Sequence, residues 1–532
     1  MASVDAPAVD TAAAVDTAAA VDAPAIEPEA REQAGILELY GVAWRTARDV
    51  IVRHRLMIVA ELVIIGVWLV LRTRYDVESR PYVLWTVLAS AVALVSPASG
   101  LVILAGTAPF YEPTTLLHLI GVRPAPQTLG LRHVFVAVIA ISVVIRLVAG
   151  GWRRMPWSPA VFLGIAIAVV TAIGVVVTWA RFPPDWARIA SYTWLSSVGG
   201  AMLLLVAAVW VARDGTKRPI VAAIVATTVA VALSVADQLD RGIVSGSAVA
   251  WIGFWKDFGP RLGGAVPSPN GMAALSVMPF CIAVAFLVLD RRRDRSTIVL
   301  KLLAVLAVAV FAVALYLTFS RAALIATYAL AVVIAWRLRR GLGLAVLVVG
   351  LVAGIALLPS YLALRGEAAN AGAIEPGSVL VATDLQRLRT WNAAGHMFLD
   401  RPLTGQGFLA YKQLAPDYGD PVIGSPHNEW LRLFTEEGVV GGIIGLAFVV
   451  ATLVQLTRRR GWLESGILAG TIGWMVMASF NNPLLFIQVS AVVCIPLGYG
   501  LARSVEPAEQ PVAAADEGPI ASPEPGPEAM PA

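Results

Sequence analysis

Long apolar runs, separated by short clusters of arginine, constrain the fold more than any other feature of this sequence. A helix needs about 20 apolar residues to cross the roughly 30 Å hydrocarbon core of a bilayer. The stretches that approach this length are 56–71, 82–95, 97–110, 133–149, 159–180, 190–212, 219–236, 270–289, 298–319, 321–336, 342–361, 439–456, 464–480 and 484–501. Two of them, 82–95 and 97–110, are short and are separated by Ser96 and Pro97. They can form a hairpin, one kinked span or a re-entrant pair, because proline interrupts a helix.

The composition supports the same fold class. The chain has 532 residues, of which 58% are hydrophobic and only 14% charged, and its mean hydropathy is +0.75. A soluble protein of this length carries more charge, so we predict an all-α polytopic membrane protein with about 12–14 transmembrane helices. The net charge of +4 is small and its arginines flank apolar runs, which indicates membrane topology and not nucleic-acid binding.

Topology follows from where the arginines lie. Cytoplasmic loops are rich in Lys and Arg. Fourteen spans with a cytoplasmic N-terminus put five basic clusters on that side: 153–154, 213–218, 291–293, 337–340 and 458–460. The same alternation puts 237–269 and one large loop, 362–438, on the extracytoplasmic side. Residues 1–34, which repeat TAAAVD, and 504–532, rich in Pro, Glu and Ala, cannot bury a core and are predicted to be disordered cytoplasmic tails.

The 362–438 loop holds the first candidate for chemistry, His427, in the run SPHNEW. We expect this ring at a membrane interface, partly hydrated, with an unperturbed pKa near ~6.5 that suits a general base. The alternative is a surface histidine that hydrogen-bonds Asn428 or the backbone. His396, in AAGHMFLD, is expected to serve packing.

Cationic and aromatic side chains accompany the histidine. Arg321 begins an apolar run, where a charge is costly unless it faces a polar cavity, pairs, or snorkels to the headgroups. Arg387 and Arg389 in the loop can offer bidentate donors to phosphate, although a loop arginine is ordinarily a solvated charge. Trp391 lies beside them. A base, cations and an aromatic ring in one loop are typical of a site for an anionic, sugar-bearing substrate.

Other polar residues admit structural explanations. Asn270 follows two prolines at the start of a span, where capping alone would account for it. Glu436 can orient a partner or interact with a helix N-terminus. Gly405 and Gly407 suggest tight turns, and Gly438 a turn or close helix packing. The sequence has no HExxH, paired CxxC or DxD motif, and we predict no metal and no cofactor.

Taken in order, these motifs resemble the O-antigen ligase and O-antigen polymerase superfamily of membrane glycosyltransferases. The resemblance covers roughly 220–456, flanked by membrane helices at 35–219 and 457–503. It rests on PN-x-x-A (Pro269, Asn270, Ala273), SR (Ser320, Arg321), R-x-x-x-W (Arg387, Trp391), P-x-x-G-x-G (Pro402, Gly405, Gly407), HN-x-x-L (His427, Asn428, Leu431) and E-x-G-x-x-G (Glu436, Gly438, Gly441).

The resemblance implies a GT-C-like, metal-independent, inverting glycosyltransferase of the bacterial inner (plasma) membrane. It would move a glycan from a polyprenyl diphosphate carrier to a hydroxyl of a cell-envelope glycan or glycolipid on the outer side. It assigns His427 as the base and Arg321 and Arg387 as catalytic diphosphate-binding residues. Further substrate-binding residues would be Arg389, Trp391, Asn428, Asn270 and Glu436. The family offers no expectation for Glu429.

Two other functions fit the same pattern. A glycan chain polymerase of the same superfamily would share the site and differ in its acceptor. A lipid-linked sugar transporter or flippase would also be a bundle of twelve to fourteen helices. Transporters, however, place charges near the bilayer midplane and often contain repeated halves, whereas the polar residues here concentrate in one outer loop.

Overall fold

The structure is a computed structural model that describes residues 55–71, 80–110, 131–240, 262, 266, 268–318, 320–370, 379–420 and 425–505. The chain divides into two units, Met1–Ala60 and Glu61–Ala532, and the packing described below lies within the second. The predicted tail at 1–34, the predicted tail at 504–532 beyond residue 505, and most of the predicted outer segment 237–269 lie outside the described residues. The first two residues of the predicted C-terminal tail, 504 and 505, are the end of a helix and not part of a disordered tail.

Across these ranges the secondary structure is helical, without a strand. The helices are α1 (55–71), α2 (Arg80–Val95), α3 (Pro97–Thr107), α4 (Leu131–Val148), α5 (Pro159–Arg181), α6 (Pro184–Ser196), α7 (Val198–Ala212), α8 (Arg218–Asp240), α9 (Pro269–Leu289), α10 (Arg295–Leu317), α11 (Arg321–Leu338), α12 (Arg340–Asn370), α13 (Val379–Asp400), α14 (Tyr411–Leu414), α15 (Glu429–Thr457), α16 (Trp462–Ala478) and α17 (Ile487–Val505). Each apolar run of the sequence coincides with one or two of them.

Many of the helices are long and apolar enough to span a bilayer. Within the described ranges the long ones number eight: Pro159–Arg181, Pro184–Ala212, Arg218–Asp237, Pro269–Leu289, Arg295–Leu317, Arg321–Leu338, Glu429–Thr457 and Ile487–Val505. Shorter apolar helices cover Pro81–Val95, Pro97–Thr107, Val134–Val148 and Arg340–Ala356. The chain is therefore an all-α polytopic membrane protein, as predicted.

Helix starts are set by short polar side chains. Such a residue precedes the helix and its oxygen accepts a backbone N–H of the first turn, which has no partner within the helix. The caps of this kind are Ser96, Ser158, Ser268, Asp294, Ser320 and Asn428. At the predicted break, α2 stops at Val95 and α3 starts at Pro97 as a separate helix.

Burial separates central helices from peripheral ones. Most side chains of α9 and nearly all of those of α17 are buried. By contrast, α10 exposes a row of large aliphatic side chains that includes Val299, Leu302 and Leu306. Exposed aliphatic rows match a surface that faces lipid. α16 packs closely on α9, since a Cβ at Gly466 would lie 2.7 Å from the Ile282 Cα.

The interval predicted as a large loop, 362–438, is largely helical. α12 continues to Asn370, α13 occupies Val379–Asp400, and α15 begins at Glu429, ten residues before the predicted span at 439. The sequence did not predict these first ten residues of α15. A span is recognised by its apolar residues, and the first turns of α15 carry the charged residues Glu429, Arg432 and Glu436. Those charges are buried against one another instead of facing water.

Candidate functional site

The site is built on a kink in α15. Gly438 has φ 69° and ψ −167°, which interrupts the helix and leaves backbone groups around it without helical partners. The turn 402–407 supplies the partners: Gln406 N–H donates to the Thr435 carbonyl (3.0 Å) and Gly407 N–H to that of Glu436 (2.9 Å). The Val439 N–H in turn donates to the Pro402 carbonyl (2.7 Å).

This turn is also fixed to α5. The Phe408 N–H donates to the Gly174 carbonyl (3.0 Å), and the Thr178 hydroxyl donates to the Phe408 carbonyl (2.8 Å). Gly405 (φ 67°) and Gly407 (φ 101°) have left-handed backbones, as the predicted tight turn requires. The P-x-x-G-x-G and E-x-G-x-x-G motifs are therefore two halves of one packed junction between α5, the turn and α15.

A buried ion cluster fills the first turns of α15. The Arg432 guanidinium pairs with Glu429 through Nη2 and Nε, and with Glu436 through Nη1 at 2.8 Å. These three residues are at most 3% exposed. Glu436 also accepts the backbone N–H of Leu409, a residue of positive φ. Since a buried charge is tolerated only when paired and hydrogen-bonded, this cluster holds the helix start in one arrangement.

The cluster connects to the candidate base through two side chains. Asn482, on the connection between α16 and α17, donates from Nδ2 to the second oxygen of Glu429 (3.3 Å). Its Oδ1 accepts the Ser425 hydroxyl, and the Ser425 oxygen accepts the His427 backbone N–H at 3.2 Å. A chain of hydrogen bonds thus runs from the buried ion cluster to the SPH turn and gives Glu429 a structural role.

His427 itself has a left-handed backbone, with φ 50°. Its imidazole is partly buried and hydrogen-bonds the side chain of Asn481. Burial and the positive charge of Arg387 lower the pKa of His427 from its ordinary value. The expectation of an unperturbed pKa was therefore wrong, because the ring is less hydrated than its place between two helices suggested. A neutral imidazole at neutral pH is the form that accepts a proton.

The structure brings Arg387 and Arg321 to the histidine. Arg387 lies on α13 and is partly buried, and burial together with the charge of Arg321 lowers the pKa of Arg387. Arg321 is the first residue of α11, directly after the Ser320 cap. The three predicted catalytic residues come from α11, α13 and the turn before α15, and form a chain of electrostatic contacts from Arg321 to Arg387 to His427.

Trp391, the aromatic residue predicted beside the two arginines, holds the turn that bears His427. Trp391, one turn of α13 beyond Arg387, donates its indole N–H to the Pro426 carbonyl at 3.0 Å. Tyr411, which is buried, donates to the Asp420 carboxylate (2.7 Å), and burial with that hydrogen bond raises the pKa of Tyr411. Asp420 in turn contributes a negative charge near His427.

Two other loop residues differ from the central group. Arg389 is exposed, since residues two apart on a helix do not share a face and Arg387 points inward. His396 is exposed as well, so the expectation that it serves packing was wrong.

The predicted polar residues at helix starts divide by role. Asn428 caps α15, since its Oδ1 accepts the Leu431 N–H at 3.0 Å. The cap of α9 is Ser268, which accepts the Gly271 N–H, and not Asn270, which lies inside the first turn. Asn270 is partly buried there. Glu436 is held in the ion cluster described above, away from solvent.

Sequence reasoning missed Ser425, Asn481 and Asn482. Asn481 and Asn482 lie some fifty residues after His427, in a short connection that carries no charge. One sequence signal was present. The run NNP lies between two apolar runs, and the predicted topology puts its two amide side chains on the same side of the membrane as the 425–428 turn. Only the packing of α16 against α15 brings them within hydrogen-bonding distance.

Comparison with known proteins identifies a family match for one part of the chain. Residues 306–446 match the protein-family model described as O-antigen ligase. The chain carries an O-antigen ligase domain. This domain runs from within α10 to just past the middle of α15 and contains Arg321, Arg387 and His427. No curated protein matches the sequence.

The O-antigen ligase family implies a lipid-linked glycan and a glycan acceptor as substrates. The arrangement described above suits such substrates chemically. Two neighbouring guanidinium groups can bind one anion of high charge, and a neutral imidazole beside Arg387 can accept a proton. Within the described residues, no group of three or more His, Cys, Asp and Glu side chains is placed to hold a metal ion.

Proposed function

We propose that this protein transfers a glycan from a polyprenyl diphosphate carrier to a hydroxyl of a cell-envelope glycan or glycolipid, with inversion at the anomeric carbon. The reaction would take place at the outer face of the bacterial inner membrane, with both termini cytoplasmic. The observation that carries the proposal is the electrostatic chain Arg321–Arg387–His427, assembled from three separate elements of the O-antigen ligase domain.

His427 is the proposed base. Its lowered pKa keeps the imidazole neutral, so that a ring nitrogen takes the proton of the acceptor hydroxyl as the oxygen attacks the anomeric carbon. Attack occurs on the face opposite the diphosphate. The bond from the anomeric carbon to the diphosphate oxygen breaks, and its electron pair leaves with the carrier.

Arg321 and Arg387 are proposed to bind that diphosphate. Their mutual repulsion, seen in the lowered pKa of Arg387, is relieved when an anion lies between them. The benefit grows as charge develops on the leaving oxygen, which is how fixed cations stabilise a transition state without a metal. Arg389, exposed two residues further along α13, would contact the donor at the rim of this group.

The substrate-binding roles of Asn270 and Glu436 fit this proposal less directly. Asn270 lies in the first turn of α9, whose Gly271 would place a Cβ 3.5 Å from Phe486, beside the connection that carries Asn481. Glu436 acts through Arg432, whose guanidinium lies 5.4 Å from the Phe408 ring centroid. We assign Asn428 and Trp391 to positioning of the turn that bears His427.

The test is transfer in vitro by purified, reconstituted protein, with a polyprenyl diphosphate glycan and a panel of envelope glycans and glycolipids. The informative variant is His427→Asn, because asparagine tolerates the positive φ of this position but is no base. His396→Asn is the matched control, an exposed histidine of the same region. We expect wild type and His396→Asn to form product, and His427→Asn to lose at least about 100-fold in rate.

The same assay separates the alternatives. Consumption of a second carrier-linked glycan as the acceptor identifies a chain polymerase. Movement of the intact lipid-linked glycan across the liposome membrane, without product, identifies a transporter and overturns the proposal. Activity that is lost on chelation and returns with a divalent cation would contradict the metal-independent mechanism.

A further inference from the structure

Asn481 is a polar neighbour of His427, and one atom of its side chain has no hydrogen-bond partner among the described residues. It lies on the connection between α16 and α17, only 6% exposed. Its side chain hydrogen-bonds the His427 imidazole. Its Nδ2 is buried and has no hydrogen-bond partner among the described residues.

These two facts orient the amide. Since Nδ2 has no partner, the atom of Asn481 that meets the imidazole is Oδ1. An amide oxygen only accepts, so the ring nitrogen that faces it carries the hydrogen. The other ring nitrogen of the neutral imidazole then has its lone pair free. The hydrogen bond therefore selects one tautomer, as the partner of a catalytic histidine commonly does.

The remaining atom points to a ligand. Buried polar groups in folded proteins nearly always have a partner, and one that lacks a protein partner can be completed by water, an ion or a bound molecule. Nδ2 is a donor, so its partner must be an acceptor such as a hydroxyl or ring oxygen of a sugar. The atom lies beside the imidazole that would deprotonate the acceptor hydroxyl.

The neighbouring residue shows how firmly this connection is held. Asn482 bonds Ser425 and Glu429, which support the backbone of the His427 turn. The dipeptide therefore contacts both the backbone support and the ring of one histidine. It lies beyond the matched family region, which ends at residue 446.

We infer that Asn481 positions the His427 imidazole through Oδ1 and binds an oxygen of the acceptor glycan through Nδ2. This inference rests on the proposed function of His427 as the base. It adds a residue that determines the binding of the acceptor and not of the lipid-linked donor.

Two variants and one control test it in the reconstituted transfer assay. Asn481→Asp keeps the shape and the acceptor oxygen but places a negative charge beside the ring, and Asn481→Ala removes both functions. Thr471→Val is the control, because it also removes a buried polar atom that has no partner among the described residues. Thr471 lies within α16, about 10 Å along the helix axis before the end that leads to Asn481. Thermal unfolding of each variant reports the folded fraction.

The measurement that separates the two roles is the dependence of kcat/KM on pH, which would not change if Asn481 were only a structural residue. Asn481→Asp stabilises the imidazolium, so the acidic limb of kcat/KM moves to higher pH. Asn481→Ala loses the hydrogen bond that raises the pKa of His427, so its limb moves to lower pH. In both variants KM for the acceptor rises about 10-fold while KM for the donor is unchanged, since only a donated hydrogen bond to the acceptor is lost. Thr471→Val leaves all three quantities unchanged.

Two results overturn the inference. If both variants keep the wild-type limb and lose rate only in proportion to the folded protein, Asn481 is a structural residue. If KM changes for the donor and not for the acceptor, the assignment of Nδ2 is wrong. Failure of the proposed function is distinguishable, because it would appear as undiminished transfer by His427→Asn, whatever the Asn481 variants do.

Discussion

Gly405 and Gly438 pack backbone against backbone: a Cβ on Gly405 would lie 2.5 Å from the Gly438 nitrogen, and a Cβ on Gly438 would lie 2.8 Å from the Gly405 nitrogen. Both residues have φ near 68°, at 67° and 69°. This contact joins the 402–407 turn to the kink of α15. It fixes where the polar first turns of α15 lie relative to α5 and α13, and so where the His427 turn begins.

We expect Gly438→Ala to destabilise the protein by about 1–3 kcal/mol from its backbone conformation alone, since its φ and ψ lie in a region that is essentially restricted to glycine. The overlap with the Leu403 carbonyl, 2.4 Å from the new Cβ, adds to the loss. Thermal unfolding in detergent measures the effect.

The control for this prediction is Gly395→Ala, in the middle of α13, where a Cβ meets nothing within 4 Å. There the change should stabilise the helix by about 0.5–1 kcal/mol, because alanine loses less backbone freedom on folding. Equal effects at the two glycines would contradict the role given to the Gly405–Gly438 contact.

Arg432→Met should be strongly destabilising, because it leaves Glu429 and Glu436 buried without their cation. Breaking a buried pair by removal of one partner typically costs about 3–5 kcal/mol. The comparison is Arg188→Met, which breaks an exposed pair with Asp185 (58% and 89% exposed) and should change stability by less than about 1 kcal/mol. Unfolding of both variants in the same detergent is the measurement, and a small loss in Arg432→Met would show that the cluster is hydrated.

The sequence was sufficient to predict the membrane fold. It singled out three residues of the candidate site, but not the residues that support the turn on which His427 lies. Apolar runs report spans because lipid demands about 20 such residues at a time. His427, Arg321 and Arg387 stood out because polar groups are scarce in such a chain. The charged start of α15 did not meet the same criterion, since the pairing of Glu429 and Glu436 with Arg432 is visible only in three dimensions. For Asn481 and Asn482 the NNP run gave only their membrane face, and their contacts depend on how α16 packs.

Acidic pH should inactivate the enzyme only below the ordinary titration range of histidine. Burial and Arg387 lower the pKa of His427, so the imidazole stays neutral to a pH below about 6.5. Folding disfavours the protonated ring, so this group's contribution to stability is complete above that value and is lost as pH falls through the lower, folded-state pKa. The acidic limb of kcat/KM is the measurement, and a limb at or above about 6.5 would contradict the burial of the ring.

Removal of the Arg387 charge tests the electrostatic contact within the same profile. In Arg387→Gln the repulsion on the imidazolium disappears, so the acidic limb should move to higher pH, in addition to any loss of rate from weaker donor binding. Arg389→Gln is the matched control, two residues away on the same helix and exposed, and its limb should coincide with that of wild type. If both variants shift the acidic limb of kcat/KM equally, the shift comes from the general surface charge and not from the specific interaction of Arg387 with His427.

Trp391→Phe separates the two roles that the indole can have. The variant keeps an aromatic ring for stacking on a sugar but loses the N–H that donates to Pro426, 3.0 Å away. If Trp391 acts by holding the turn that bears His427, kcat falls by about 2- to 10-fold, the equivalent of one hydrogen bond, while KM for both substrates stays near the wild-type value. If instead the ring is a sugar-binding platform, kcat stays close to that of wild type in the variant, because the phenyl ring preserves the stacking face. Steady-state transfer kinetics decide between the two, and the contact seen between Trp391 and Pro426 favours the first.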